Sequence, residues 1–330
     1  MTHSPHDALA RRTLSQPAVA RGYLRSVLPP AVSRHLDFGG LRVLPGSFVD
    51  PALSERQSDF LYAVPWLAGD RCALLYVLLE HQSRVDPRMA ARLYVYTARA
   101  LDSWCRANPR DAQIPAILPL VLYSGQEPWS AAKSLAGLYA LPPTLPRSAR
   151  RLLPALRYRV DDLRRSSDDA LARRPLPPAG RVSLVLLRHG RDGEAELLAF
   201  LRSRGGMLET LQDRDDLLMA FSYIFRVAAA GEGEVLEALR HAVRPEVQEV
   251  AMTAAEQLLA RGREEGREEG REEGRLEGER TVLLRLLGRR FTLAPAHRAR
   301  VARASSAELA LWTDRVLEAT SLAEVFGSIE

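Results

Sequence analysis

Asp59, Glu80 and Gln82 are the residues of this sequence whose types and spacing could do chemistry together. Two carboxylates supply the oxygen ligands that Mg²⁺ takes in proteins, and an amide can orient water or a phosphate oxygen by hydrogen bonds. Glu80 and Gln82 are two residues apart, so they share a face if they lie on one strand. The three residues therefore predict a Mg²⁺-dependent hydrolytic site, provided that Asp59 lies on that face too.

A β-hairpin is the element that must position these residues. Apolar residues 60–67 and 72–79 flank a Gly-Asp pair at positions 69–70, and this arrangement predicts a hairpin with a two-residue turn. Such a turn places Asp59 directly opposite Glu80. Like charges in direct opposition destabilise a sheet, and a bound divalent cation would remove the repulsion.

The hairpin leaves a second interpretation open. Asp59 and Glu80 could be two solvated charges at the ends of strands, because acidic residues commonly border apolar runs. A slip of one residue in register would place the two carboxylates on opposite faces of the sheet. Pro65 cannot donate to the sheet ladder, which indicates a bulge or an edge strand.

Five segments of the sequence resemble the recombination-promoting nuclease (Rpn) or YhgA-like putative transposase family, which belongs to the PD-(D/E)XK nuclease superfamily. They run in order over about residues 6–129 and are HDALARRTLSQPAVARGYLRSVLP, LDFGGLRVLPGSFVD, SDFLYAV, YVLLEHQSRVDPRMAARLYVY and LPLVLYSGQEPW. The resemblance implies that Asp59 is the acid on one strand and that Glu80 with Gln82 is the E-x-Q form of the (D/E)-x-K motif. A neutral amide at position 82 lacks the positive charge with which a lysine stabilises developing negative charge.

What the resemblance implies is a metal-dependent DNA endonuclease that hydrolyses phosphodiester bonds. The alternative is a catalytically weak DNA-binding or assembly protein that retains the fold, and the absent lysine favours it. The superfamily often adds an acidic ligand from the first helix. The predicted first helix, about residues 17–27, contains no acid, so Asp7, Asp37 and Asp50 stay open as the further ligand.

The order of predicted elements gives the fold class. Residues 6–28 have helical spacing, a strand is predicted near residues 41–44, and the hairpin follows. Residues 86–107 predict an amphipathic helix, and residues 114–123 form a nearly continuous apolar run that is typical of a buried strand. This order is the αβββαβ core of an α/β, restriction-endonuclease-like fold, a mixed sheet flanked by helices and here followed by a mostly helical C-terminal region.

The helix predicted over residues 86–107 carries a row of arginines beside its apolar stripe. At 100° per residue the four arginines fall within about 40° of one another, and they are Arg88, Arg92, Arg99 and Arg106. Guanidinium groups pair well with phosphates, so this row could hold a DNA backbone. The alternative is that the row is the solvated flank of an amphipathic helix.

Four segments are predicted along the chain. Residues 1–165 form the nuclease-like domain, and residues 166–260 have the apolar stripes of a helical region. Residues 261–280 repeat a Gly-Arg-Glu-Glu pattern and predict a marginal, solvated spacer helix, because glycine opposes helix formation. Residues 281–330 predict a small helical module, through which copies of the chain could form a homo-oligomer.

Composition sets the remaining expectations. A chain of 330 residues with 46% hydrophobic residues can bury a substantial core. The formal net charge of +5 and the pI near 9.5 are compatible with a polyanionic partner such as DNA. No apolar run approaches the roughly 20 residues of a membrane span. Cys72 and Cys105 are the only cysteines and do not indicate a disulfide framework, so we expect a cytoplasmic protein that does not bind membranes.

Overall fold

The computed structural model describes residues 4–44, 59–69, 71–80, 85–228 and 232–327. The side chains at positions 59, 72, 74–80, 232, 265 and 269 lie outside the description. The chain divides into two compact units, Met1–Ala255 and Glu256–Glu330. The first unit is α/β and the second is helical. The finer division at residues 165, 260 and 280 stays a prediction.

A five-stranded mixed sheet forms the centre of the first unit, with the strands in the order of the chain. Three neighbours pair in antiparallel fashion, and they are β1 (Arg42–Leu44), β2 (Asp59–Pro65) and β3 (Cys72–Glu80). β4 (Ile117–Tyr123) is parallel to β3, and β5 (Arg159–Asp162) is parallel to β4. The carboxyl ends of β3, β4 and β5 therefore meet at one edge of the sheet, here called the carboxyl edge. Because β2 runs in the opposite direction, it begins at that edge.

The crossover between β3 and β4 is the helix α4 (Met89–Ala107), as predicted. Its apolar stripe packs on one face of the sheet, where Leu93 and Tyr96 are buried with Leu61 and Val121. Parallel pairing of the following strand, which the crossover helix led us to expect, is confirmed.

The other face of the sheet is covered by α1 (Pro5–Leu14), α2 (Pro17–Val27) and α7 (Pro178–His189). The helix predicted over residues 17–27 is confirmed as α2, but it is the second helix and not the first. Pro17 occupies the first turn of α2, where its missing N–H costs nothing, and a separate helix precedes it.

Further helices complete the first unit and confirm that the chain becomes mostly helical after the sheet. Several of them join α7 in one continuous apolar core. These further helices are α3 (Pro30–Ser33), α5 (Arg147–Arg150), α6 (Asp168–Ala172), α8 (Glu194–Arg204), α9 (Arg214–Val227) and α10 (Glu232–Leu239). Within the described ranges, no helix is both long and apolar enough to cross a lipid bilayer.

The turn between β2 and β3 is longer than predicted. Trp66 N–H donates to the Arg71 carbonyl at 2.9 Å, and Pro65 pairs with Cys72. Four residues therefore lie between Trp66 and Arg71, where the predicted turn had two. Each β2 residue pairs two positions earlier in β3 than expected, so Asp59 is opposite Leu78 and the predicted direct opposition to Glu80 is wrong.

The second unit is built on the end of a long helix, α11 (Pro245–Arg290), which includes the whole Gly-Arg-Glu repeat. Leu283 and Leu287 pack with Leu309, Trp312 and Phe326 in a core separate from that of the first unit. The helices that supply the remainder are α12 (Pro295–Arg303), α13 (Ser306–Glu318) and α14 (Leu322–Phe326). Pairing of two copies through these helices stays a prediction.

Replacing glycines of the repeat is expected to stabilise α11. A Cβ atom added at Gly266 or Gly270 would meet no atom within 4 Å, so alanine adds helix propensity without a clash. We expect the double variant Gly266→Ala/Gly270→Ala to gain about 0.4–1 kcal/mol per site, seen as slower hydrogen exchange of backbone amides in the repeat.

A matched control lies in α2. A Cβ atom at Gly22 would lie 2.3 Å from the Pro175 carbonyl oxygen, so Gly22→Ala should destabilise the first unit. Faster exchange of backbone amides in the repeat of the double variant would contradict the prediction that the repeat is an exposed, marginal helix.

Candidate active site

The carboxyl edge brings together the ends of three strands. Glu80, the last residue of β3, pairs with Tyr123 at the end of β4, and Tyr123 pairs with Asp162 at the end of β5. Paired positions of neighbouring strands share a face, and neighbouring strands lie about 4.8 Å apart. Glu80, Tyr123 and Asp162 therefore occupy one line across the sheet, about 10 Å from end to end.

Asp59 and Glu80 occupy the same face in spite of the altered register. Asp59 pairs with Leu78, which is two residues before Glu80, and a shift of two residues preserves the face. It is the face on which Leu61 and Ala63 pack towards α4. The two acids are diagonal neighbours on adjacent strands. Their backbone positions are about 7–8 Å apart, a distance that long side chains can span. The repulsion that a cation would relieve is weaker than in direct opposition.

The convergence of these carboxylates on one ion stays a prediction, because their side chains lie outside the described part of the chain. Gln82 also lies outside the described residues. Among the side chains that the structure does describe, no group of three His, Cys, Asp or Glu residues could hold a metal ion.

α1 brings a buried acid towards the carboxyl edge. Asp7 is only 8% exposed, and the neighbouring His6 lies against Gly190, where an added Cβ atom would be 3.1 Å from the imidazole Cε1. The next residue, Arg191, accepts a hydrogen bond at its carbonyl from the Gln126 amide, three residues beyond β4. The amino end of α1 is thereby linked to the carboxyl end of β4.

Asp37 lies at the opposite edge of the sheet. Its N–H donates to the Pro65 carbonyl at 2.8 Å, and its carboxylate accepts from the Gly39 N–H at 2.9 Å to cap a short 3-10 turn. The length of β2 separates it from Asp59 by about 20 Å. Asp50 is outside the described residues. Of the two described acids, Asp7 is the one near the carboxyl edge; the sequence kept it as one of three candidates but could not choose it, because the helical spacing merged α1 with α2.

Arg92 and Arg106 of the predicted arginine row contact acidic residues of the protein, and Arg99 is not free either. Arg92, with a side chain only 17% exposed, lies 3.8 Å from the Asp86 carboxylate and donates to the Tyr96 hydroxyl at 3.2 Å. Arg106 pairs with Asp102 at 2.9 Å. A protein carboxylate competes with a phosphate for each of these two guanidinium groups.

Arg88, which immediately precedes α4, and Arg99 are exposed, as is Arg106. α4 begins shortly after β3 ends, so Arg88 is close to the carboxyl edge, whereas Arg106 is about 27 Å farther along the helix. The four arginines therefore follow α4 from the residue before its first turn to its last turn. Their contact with DNA stays a prediction.

The aromatic residues beside the site have structural hydrogen bonds. Tyr123 donates to the Glu127 carbonyl at 2.7 Å and packs edge-to-face on Trp129. Burial raises the pKa of Tyr158 to about 12, with a smaller contribution from the Asp86 charge, and its hydroxyl donates to a backbone carbonyl. A hydroxyl that stays protonated and hydrogen-bonded at neutral pH is a poor proton acceptor.

Comparison with known proteins places these positions in a family. Residues 4–218 match the family described as "Putative transposase, YhgA-like". Recombination-promoting nuclease RpnD of Escherichia coli O157:H7 is 35% identical over 132 residues, which are 39% of this chain and 50% of that protein. RpnA, a recombination-promoting nuclease of Escherichia coli strain K12, is 26% identical over 264 residues, 79% of this chain and 85% of its own length.

A third relative is named as inactive. The inactive recombination-promoting nuclease-like protein RpnE of strain K12 is 32% identical over 125 residues, 38% of this chain and 40% of that protein. The match thus spans half the length of RpnD and less than half of RpnE. No solved structure matches the chain. The match over residues 4–218, which takes in the whole sheet and α1 to α8, shows that the chain belongs to the YhgA-like putative transposase family, which includes relatives named as recombination-promoting nucleases.

Proposed function

We propose that this chain is a Mg²⁺-dependent DNA endonuclease that hydrolyses phosphodiester bonds. The observation that carries the proposal is the placement of Asp59 and Glu80 on one face at the carboxyl edge. The names of RpnD and RpnA, both recombination-promoting nucleases, supply the reaction class. The observed order of helix, antiparallel β1 to β3, α4 and parallel β4 is consistent with the αβββαβ core of PD-(D/E)XK nucleases, which is part of the proposal.

Each residue of the site has a distinct task in this proposal. Asp59 and Glu80 hold the ion through carboxylate oxygens, a donor set that suits Mg²⁺. When bound there, Mg²⁺ supplies positive charge to the phosphate and makes water a better nucleophile. Gln82 orients the attacking water or a phosphate oxygen through its amide. Asp7 is our candidate for the additional acidic ligand.

The second candidate function is a DNA-binding or assembly protein with a weak or inactive site. Two observations favour it: Gln82 replaces the superfamily's lysine, and RpnE, which is 32% identical over its matched segment, is named as inactive. The nuclease and the DNA-binding form of the second candidate both require DNA binding, for which Arg88 and Arg99 remain part of the proposal. Those two differ in cleavage alone.

Plasmid cleavage separates the two functions. We expect the purified chain to nick or linearise supercoiled DNA in Mg²⁺ and to leave it intact in EDTA, because the reaction requires the bound cation. Protein carrying Glu80→Ala, purified in the same way, controls for contaminating nucleases. Binding without cleavage in Mg²⁺ would establish the second candidate and exclude the first.

A further inference from the structure

The strand β5 and the chain before it form a strongly basic part of the first unit. Between Glu127 and Asp161 the sequence contains no acidic residue and six basic ones, which are Lys133, Arg147, Arg150, Arg151, Arg157 and Arg159. Arg164 and Arg165 follow directly after β5. Such an imbalance over a continuous stretch creates a local positive potential far larger than the net charge of the chain indicates.

Backbone pairing brings Lys133 to the outer side of β5, beside Arg157. The Leu135 N–H donates to the Leu156 carbonyl at 2.9 Å, and the Tyr158 N–H donates to the Lys133 carbonyl at 3.2 Å. Ser134 forms an isolated antiparallel bridge with Arg157. Lys133, which is distant in sequence, is thereby fixed beside the start of β5.

Two adjoining cavities follow this strand. One, of about 660 Å³, is lined by Lys133, Arg157 and Arg159, and the other, of about 310 Å³, by Lys133 and Arg165. Val160 lines both cavities as well. The four basic residues, here called the basic edge, therefore line two cavities that share Lys133 and Val160, and the smaller cavity, which Asp161 and Asp162 also line, lies at the carboxyl end of β5.

The charges of the basic edge are not neutralised. Its four side chains are exposed, and in the described part of the chain none of them is ion-paired. Asp161 is held by Arg174 through two contacts of 2.7 and 2.8 Å, so its charge is compensated. Asp162 is the other carboxylate that lines the smaller cavity. It is 8% exposed, accepts a hydrogen bond from the Arg164 N–H, and has one buried oxygen without a partner.

We propose that the basic edge binds the phosphate backbone of duplex DNA and directs it across the carboxyl edge. This proposal rests on the proposed function, since it names the surface by which that site receives its substrate. Alternate residues of a strand, such as Arg157 and Arg159, are about 6.6 Å apart, so their guanidinium groups can contact successive phosphates of one DNA strand. Arg157 and Arg159 alternate with Tyr158 and Val160 of the α4 face, so DNA bound there passes around the edge strand β5, whose carboxyl end lies about 10 Å from Glu80, to reach the candidate site.

The salt dependence of DNA binding tests the proposal. The variant Lys133→Gln/Arg157→Gln/Arg159→Gln/Arg165→Gln removes four charges from exposed positions. Each lost phosphate contact should flatten the slope of log K against log salt by about 0.9. We expect a flattening of about 2–4 units and a loss of affinity that is uniform across duplex sequences, measured in EDTA so that cleavage plays no part.

Three further variants make the test specific. Arg202→Gln/Arg214→Gln removes two equally exposed arginines elsewhere in the first unit and should leave the slope unchanged. Arg157→Lys/Arg159→Lys keeps the charge and should retain the slope. Asp162→Asn keeps the capping oxygen but removes the local negative charge, so it should tighten binding a few-fold, a gain that misfolding cannot produce.

The outcomes distinguish this surface from the proposed function. Binding that depends on the basic edge without any cleavage would support the surface and refute the nuclease. Cleavage and binding with an unchanged slope in the fourfold variant would overturn the surface and leave the nuclease intact. The proposal for the basic edge is also wrong if only Arg88→Gln/Arg99→Gln flattens the slope, because DNA would then follow α4. It is equally wrong if the fourfold variant loses binding to anionic phosphatidylserine vesicles but not to DNA.

Discussion

Replacing Glu80 with alanine is expected to abolish Mg²⁺-dependent cleavage while DNA binding stays intact or becomes stronger. Glu80 ends β3 at the carboxyl edge, on the face shared with Asp59. Loss of a metal ligand removes several kcal/mol of transition-state stabilisation, which corresponds to a rate decrease of about 10³-fold or more. Binding should not weaken, because the substitution removes negative charge from a site that faces phosphates. Asp59→Ala should behave alike.

The measurement is the initial rate of plasmid nicking, with affinity for a short duplex measured separately in EDTA. Gln82→Ala should lower the rate by about tenfold, since an orienting hydrogen bond contributes less than a metal ligand. Asp37→Asn is the matched control, because Asp37 lies at the opposite edge of the sheet and asparagine can keep its cap. Asp7→Asn should lower the rate if α1 supplies a ligand. Full activity of Glu80→Ala would refute the mechanism.

Sequence periodicity predicted the elements whose packing is local. The stripe of α4 and the apolar run of β4 appear in the structure as expected, because each element's own residues decide which face is buried. Parallel pairing of β4 with β3 followed from the length of the connection between them.

The hairpin register could not be predicted from its own residues. A Gly-Asp pair favours a two-residue turn, but Leu67 N–H donates to the His35 carbonyl at 2.9 Å and Trp66 bridges to Leu36. These contacts with a segment some 30 residues earlier hold the chain in a wider turn, and Gly69 takes a φ of +91° within it. The pairing moved by two residues, so the shared face of Asp59 and Glu80 survived the error.

The position of Asp7 depends on contacts that no local pattern contains. The Thr13 and Ser183 hydroxyls are 2.9 Å apart across 170 residues, which aligns α1 with α7. That alignment brings the amino end of α1 to Gly190 and so towards the carboxyl edge. An acid on a helix can be recognised in a sequence, but its distance from a strand on another part of the chain cannot.

Arg174 is the residue at which substitution is expected to cost the most stability. It forms a two-pronged ion pair with Asp161 of β5, and the two side chains are only 15% and 10% exposed. Arg174→Met would leave a buried carboxylate without a partner beside the fully buried Tyr23. Breaking one side of a buried pair costs about 3–5 kcal/mol, which for a unit of this size lowers Tm by about 10 °C.

The double variant Asp161→Asn/Arg174→Met shows whether charge is the cause. Removing both charges eliminates the unpaired carboxylate, so most of the lost stability should return. Thermal unfolding followed by circular dichroism measures both variants, and Arg204→Met, which breaks an exposed pair with Asp169, should change Tm by about 2 °C or less. If the double variant were as unstable as Arg174→Met alone, the packing of the arginine side chain would be what holds the end of β5. The ion pair would then contribute only the neutralisation of Asp161 beside the basic edge.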